Sequence, residues 1–276
     1  MIKIKKLVTK ANEIKAKEPQ FFCSDWLPIP RNTLTMISAP GGTGKSFLSI
    51  QLAIRIIAKN PEAKVLLWLS EDPLFLTKDR INKIFNRILP NLLDKKEEIL
   101  KNIDIIGAEQ ETIYFKKLEK KEREELEKEL VLNYNVIVID PLIAFYDGEE
   151  NSNSQAREFM NLLNRMAQSR LLSIILIHHH NKNSEGTKTR GASAFVDAVR
   201  LLYSISTIKN KETEEIHPTK RLIKIEKDNW GVRMLLDKDK LEREILPYSS
   251  SSGGSINISN DDDYSDMPEI PGLGEY

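Results

Sequence analysis

The sequence predicts an α/β fold with a mostly parallel central sheet flanked by helices. Three observations carry this. Short continuous apolar runs, such as KVLLWLS at 64–70, VIVID at 136–140 and SIILIH at 173–178, are the pattern of strands buried on both faces. They alternate with longer segments whose apolar residues recur at helical spacing. Between the first strand and the first long helix stands APGGTGKS at 39–46, a glycine-rich turn in strand–loop–helix context.

The elements follow in order. Residues 1–20 form a basic arm with six Lys and two Glu, in which Ile4, Leu7, Ala11 and Ile14 have helical spacing up to Pro19. The arm is either a short amphipathic helix docked on the core or on a neighbouring subunit, or a solvated terminus. A core spans 21–248. Strand 33–38 leads into helix 45–58, where Phe47, Leu48, Ile50, Leu52, Ala53 and Ile56 are apolar. Strand 64–70, helix 78–89, strand 103–106 and a very charged helix 116–132 come next. Strand 136–140, helix 154–170, strand 173–178 and a short helix 192–198 follow, and strands 199–206, 221–227 and 232–236 finish the core. Residues 249–276 open on SSSSGGS and carry six acids and no base, the composition of a disordered acidic tail.

Composition excludes several classes. With 276 residues, 40% hydrophobic and 30% charged, the chain has enough apolar residues for a large core. Lys+Arg and Asp+Glu are both 41, so a histone-like polycation is excluded, although a local basic patch is not. Cys23 is the single cysteine, which rules out an intrachain disulfide. No apolar run reaches the ~18 residues of a membrane span, and the N-terminus lacks the apolar block of a signal peptide. The expectation is a cytoplasmic protein without membrane contact.

The chemistry concentrates in the glycine-rich turn. Ala39, Pro40, Gly41, Gly42, Thr43, Gly44, Lys45 and Ser46, with Phe47 behind them, match a phosphate-binding loop, except that Ala39 stands where the first glycine is usual. Its glycines let backbone N–H groups turn towards phosphate oxygens at a helix N-terminus. Lys45 is expected to reach the β- and γ-phosphates of ATP, and Ser46 to ligate Mg²⁺. Asp140, ending VIVID, is the second expected Mg²⁺ residue; an apolar run ending in Asp is a common strand end, but after a phosphate loop the metal role is expected. Glu71 and Asp72 end VLLWLSED, and a carboxylate there is either the acceptor of a proton from attacking water or a strand-terminal acid before the turn at Pro73. His178, His179 and His180 do not make a metal tripod, because consecutive strand residues face opposite sides.

The motifs APGGTGKS, LLWLSEDP, VIVIDPL, ILIHHHNK, RGASAFVDAVR and IEKDNWG, in that order, resemble RecA-like P-loop ATPases of the plasmid RepA type, hexameric replicative DNA helicases related to the DnaB group. The resemblance spans about residues 21–236. It implies that Glu71 is the catalytic glutamate, Asp140 the Walker B acid and His179 the γ-phosphate sensor. Arg200 would be the arginine finger reaching a neighbouring subunit, with Lys227 as its basic partner. On residue type alone Arg200 is an ordinary arginine at a helix–strand junction, and Arg190 is the alternative finger. RecA-like motors place a loop such as 181–190 against DNA, so Lys182, Lys188 and Arg190 are expected to contact the strand's backbone. The resemblance thus implies an ATP-dependent helicase acting on single-stranded DNA as a homohexamer. Outside the stretch it covers, the arm and the acidic tail are the expected contacts for replication partners. The competing expectation is a RecA-like DNA-binding ATPase without unwinding activity, such as a recombination mediator, helicase loader or regulatory ATPase.

Overall fold

Side-chain alternation along the central strands sets the architecture. In β3 (Leu34–Ala39), Leu34 and Met36 join one hydrophobic cluster and Ile37 and Ala39 the other. The same division runs through β4 (Val65–Leu69), β6 (Val136–Asp140) and β7 (Ser173–His179), so each strand serves two cores. One face is covered by α1 (Lys45–Lys59), α2 (Leu74–Arg87) and α3 (Lys96–Leu100). The other is covered by α4 (Lys120–Asn133), α5 (Asn153–Arg170) and α6 (Ser193–Ala198), around an aromatic group that includes Trp68, Phe115, Phe145 and Phe159. The computed structural model describes residues 8–111, 113–115, 117–149, 151–179, 193–210 and 212–247.

The remaining strands are β1 (Phe21–Phe22), β2 (Ile29–Pro30), β5 (Ile103–Ile106), β8 (Leu201–Lys209), β9 (Ile216–Asp228) and β10 (Lys240–Glu244). β1 and β2 form a small hairpin of their own. The main sheet has the order β10-β9-β8-β3-β7-β6-β4-β5. From β8 to β5 all pairings are parallel, and β9 and β10 add an antiparallel edge. β3 lies between β7 and β8 although these follow it late in the chain. This creates a topological switch point at the C-terminal ends of the strands, where α/β sheets bind ligands.

Several expectations need correction. Residues 232–236 are not a strand but the short helix α7 (Val232–Leu236). Gly231 takes a left-handed φ of 77°, and the Asp228 carboxylate accepts the N–H groups of Trp230 and Arg233, which turns the chain into a helical turn. The strand that closes the edge is β10, further on. α2 begins at Leu74, whose N–H is taken by the Glu109 carboxylate, and not at 78. α4 begins at Lys120, where Glu119 and Glu122 form a capping box. The arm shows no α-helix over 8–20. Residues 8–20 are exposed, with one 3-10 turn at Ala11–Glu13, and Val8 and Ile14 are 64% and 63% exposed, so nothing among the described residues covers them. Ile4 and Leu7 in the arm, and the tail 249–276, lie outside the described residues.

Candidate functional site

The loop between β3 and α1 has the geometry of a phosphate cradle. Gly42 and Gly44 adopt left-handed φ values of 76° and 95°, which a side chain would strain. Gly44 is the N-cap of α1, so the helix presents its unsatisfied N–H groups and positive dipole end to the loop. Space is open above Gly41 and Gly42. Thr43 Oγ1 donates to the Pro40 carbonyl at 2.9 Å and closes the loop on itself.

Lys45 is buried and its ammonium donates to the carbonyls of Pro40, at 2.8 Å, and Ala39, at 3.3 Å. Burial lowers its pKa, against the opposing pull of Asp140 and Glu71. Asp140 is buried at the end of β6. Burial raises its pKa from 3.8 to about 6, and Asp72 and Glu71 add to the rise, while Lys45 and a 3.4 Å hydrogen bond from Ser49 Oγ oppose it. A buried carboxyl that burial and two neighbouring acids push upwards suits a divalent cation, which would relieve that repulsion. Ser46, at the first turn of α1, is half-buried on the same loop. These residues therefore fit Mg²⁺ and a nucleotide phosphate chain.

Glu71 and His179 meet at this edge. The Glu71 carboxylate is 64% exposed and its Oε2 lies 3.9 Å from His179 Nε2. In the sheet register His179 is opposite Ala39, the first residue of the loop, and His178 is opposite Ser38. His178 points the other way, into the core against Phe195, as strand alternation requires. The structure thus brings Lys45, Asp140, Glu71 and His179 together. Phe47 packs against the core, and the Arg80 guanidinium lies over its ring.

Arg200 and Lys227 are elsewhere. Leu201 is opposite Thr35 and Lys227, near the end of antiparallel β9, is opposite Leu202, so both cations sit at the edge where the parallel strands begin. Arg200 is level with Leu34, five positions before Ala39, or roughly 16 Å along the strand direction. It is exposed, beside a groove of about 730 Å³ lined by residues of α5, with Asp197 and Ala198. Lys227 Nζ donates to the carbonyls of Val196, at 3.2 Å, and Asp197, at 2.8 Å, and so caps the C-terminal end of α6. It thereby fixes the junction that carries Arg200. Lys182, Lys188 and Arg190 lie outside the described residues.

Sequence reasoning missed Ser49 and Arg221 at this edge, and named Asp72 beside Glu71 without its link to Asp140. Ser49 shares the Asp140 carboxylate; its spacing of one helical turn from the loop was the available signal. Asp72 is 14% exposed, forms a close ion pair with Arg80, and acts on Asp140 more strongly than Glu71 does. Arg221, on β9, donates from Nε to the Thr43 carbonyl at 3.1 Å, and no local pattern announces it.

Comparison with known proteins agrees with the fold. A family described as an AAA domain matches residues 5–185. Among solved structures, the flagellar accessory protein FlaH from Methanocaldococcus jannaschii superposes with a TM-score of 0.52 at 16% identity, over 79% of this chain and 88% of that one. The architecture is RecA-like, with a mostly parallel sheet flanked by helices. Among the described residues, no helix is long and apolar enough to cross a membrane.

Proposed function

The chain belongs to the AAA domain family, and from that premise we propose that it is an ATP-driven motor, a helicase or translocase on single-stranded DNA that works as a ring-shaped hexamer. The observation that supports this reading is that the candidate residues lie at opposite ends of one sheet. Lys45, Asp140, Glu71 and His179 are gathered at one end, and Arg200 stands exposed at the other. An arginine roughly 16 Å down the sheet is far from its own loop, but a head-to-tail interface joins opposite faces of successive subunits.

In this reading Lys45 exchanges the carbonyls of Ala39 and Pro40 for phosphate oxygens, while the loop N–H groups hold the phosphate chain. Ser46 and Asp140 would hold Mg²⁺, which would neutralise charge at the phosphates. Glu71 accepts a proton from the attacking water, and His179, 3.9 Å from that carboxylate, senses the γ-phosphate. Arg200 of the partner subunit stabilises charge developing on the transferred group. His179 ends β7 only two residues before the basic stretch 181–190, so the sensor and the DNA-contacting cations Lys182, Lys188 and Arg190 are directly joined in the chain.

A strand-displacement assay on forked DNA with MgATP tests the motor. Unwinding that depends on hydrolysis supports it. DNA-stimulated hydrolysis without displacement would favour the second reading, an ATPase that switches or loads other proteins. That reading draws on the fold's likeness to a protein described as an accessory factor.

A further inference from the structure

We propose that Arg221 is a positioning residue for nucleotide binding, which orients the Thr43–Gly44 peptide of the phosphate loop. The inference rests on the ATP-binding reading of that loop and adds a part that neither the motif nor the family supplies.

Arg221 is 4% exposed, and its partners among the described residues are three backbone carbonyls. Nη1 donates to His217 at 2.8 Å and to Lys220 at 2.7 Å, which holds the guanidinium to its own strand. Nε donates across to Thr43 at 3.1 Å. In a trans peptide the carbonyl and the following N–H point in opposite directions. Drawing the Thr43 oxygen towards β9 therefore turns the Gly44 N–H the other way, into the hollow of the loop. A buried guanidinium at that distance also adds fixed positive potential behind a site for an anion.

The same edge holds the loop from a second direction. A Cβ on Gly44 would lie 2.7 Å from Leu246 Cδ2 and 3.2 Å from Ile245 Cγ2, so the chain after β10 packs directly on the loop. The N–H groups of Ile245 and Leu246 both donate to the Thr219 carbonyl, at 3.0 and 3.1 Å, and Gln51 of α1 donates to the Ile245 carbonyl at 2.6 Å. Thus β9, the residues after β10, the phosphate loop and α1 form one hydrogen-bonded unit. The antiparallel edge is the outer wall of the nucleotide site.

The test compares Arg221→Met and Arg221→Lys with the wild-type protein. MgADP affinity, KM and kcat for ATP, and the melting temperature without nucleotide are measured. The expected result is a rise in MgADP Kd and ATP KM of about tenfold or more for Met, the worth of a charge-assisted hydrogen bond, with a smaller rise for Lys and kcat at saturation nearly unchanged. A folded Arg221→Met protein that binds MgADP with wild-type affinity overturns the proposal. A loss confined to kcat does so too. Should both variants fail to fold, amide exchange in the wild-type protein decides. MgADP should slow exchange at Ile245 and Leu246, and unchanged exchange there overturns the coupling. A wild-type protein that binds no nucleotide would instead refute the underlying reading of the loop.

Discussion

The two ends of the central strands are ordered in opposite ways. At the C-terminal ends, the polar groups other than the exposed Glu71 are largely buried and tied to one another. Lys45 bonds its own loop, Asp140 accepts from Ser49, Asp72 pairs with Arg80, and Arg221 grips Thr43. At the N-terminal ends, Lys227 is occupied in capping α6, while the Arg200 side chain is left at the surface beside an open groove. A site that keeps its binding groups buried before any ligand arrives has met its ordering cost in folding. In the proposed reading the exposed Arg200, on a junction held by Lys227, acts on a neighbouring subunit. The comparison teaches that, in the proposed reading, the contribution of Arg200 to turnover should separate from nucleotide binding by mutation, because the two lie at opposite ends of the sheet, while Glu71 stays with the binding groups.

Three changes break the comparison at its strongest points. Lys45→Ala removes the charge directed at the phosphates and should abolish nucleotide turnover, with binding measured by a fluorescent nucleotide lost or severely weakened. Arg200→Ala should lower kcat by about 10³-fold or more while nucleotide Kd stays near wild type, since an arginine finger acts on the transition state. Glu71→Gln should likewise bind MgATP and fail to turn it over. Turnover at the wild-type rate in Glu71→Gln would pass the role of base to another group, with Asp72 next in line.

A smaller effect concerns stability. In the nucleotide- and metal-free protein the Asp140 carboxyl has its pKa raised from 3.8 to about 6. The fold therefore penalises its ionised form. Below about pH 4 both folded and unfolded chains hold the proton and no penalty exists; above about pH 6 it is present in full. Stability of the empty protein should fall as pH rises through that window. Asp140→Asn should therefore melt higher than wild type at pH 7.5, by an increment on the order of 1–3 kcal/mol, while losing Mg²⁺-dependent turnover. An Asn variant that melts lower would mean that the Ser49 bond and the Lys45 charge outweigh burial. The smallest effect belongs to DNA. Reversing the charge of Lys182 and Lys188 should flatten the salt dependence of single-strand binding, by about 0.7 in log–log slope for each phosphate no longer neutralised. An unchanged slope would remove that segment from the interface.

How much of this was legible in the sequence depended on the range of the interactions. β4, β6 and β7 could be read because a strand buried on both faces needs an unbroken apolar run, which is visible locally. The phosphate loop could be read because its glycines answer to local backbone geometry. α7 reads wrongly as a strand because a run as short as MLL suits a strand or a turn of helix, and the Asp228 carboxylate that decides between them acts through a cap. Arg221 could not be read at all. It lies 178 residues from Thr43, and only the pairing of β9 beside β8 and β3 brings the two together. Glu71 sits in the expected place, but the tighter electrostatic link between Asp72 and Asp140 depends on burial, which a dipeptide of two acids does not reveal.

Subunit mixing tests the central claim, that a working site is shared between neighbours. Arg200→Ala and Lys45→Ala proteins, each inactive alone, are allowed to exchange subunits, and exchange is verified with fluorescent labels. An Arg200→Ala subunit keeps an intact loop, and a Lys45→Ala neighbour keeps an intact arginine, so their junction holds a complete site. The account predicts that the mixture regains ATPase activity that neither parent has. A mixture that exchanges fully yet stays inactive, or a wild-type protein that hydrolyses ATP at full rate as a monomer, would contradict it.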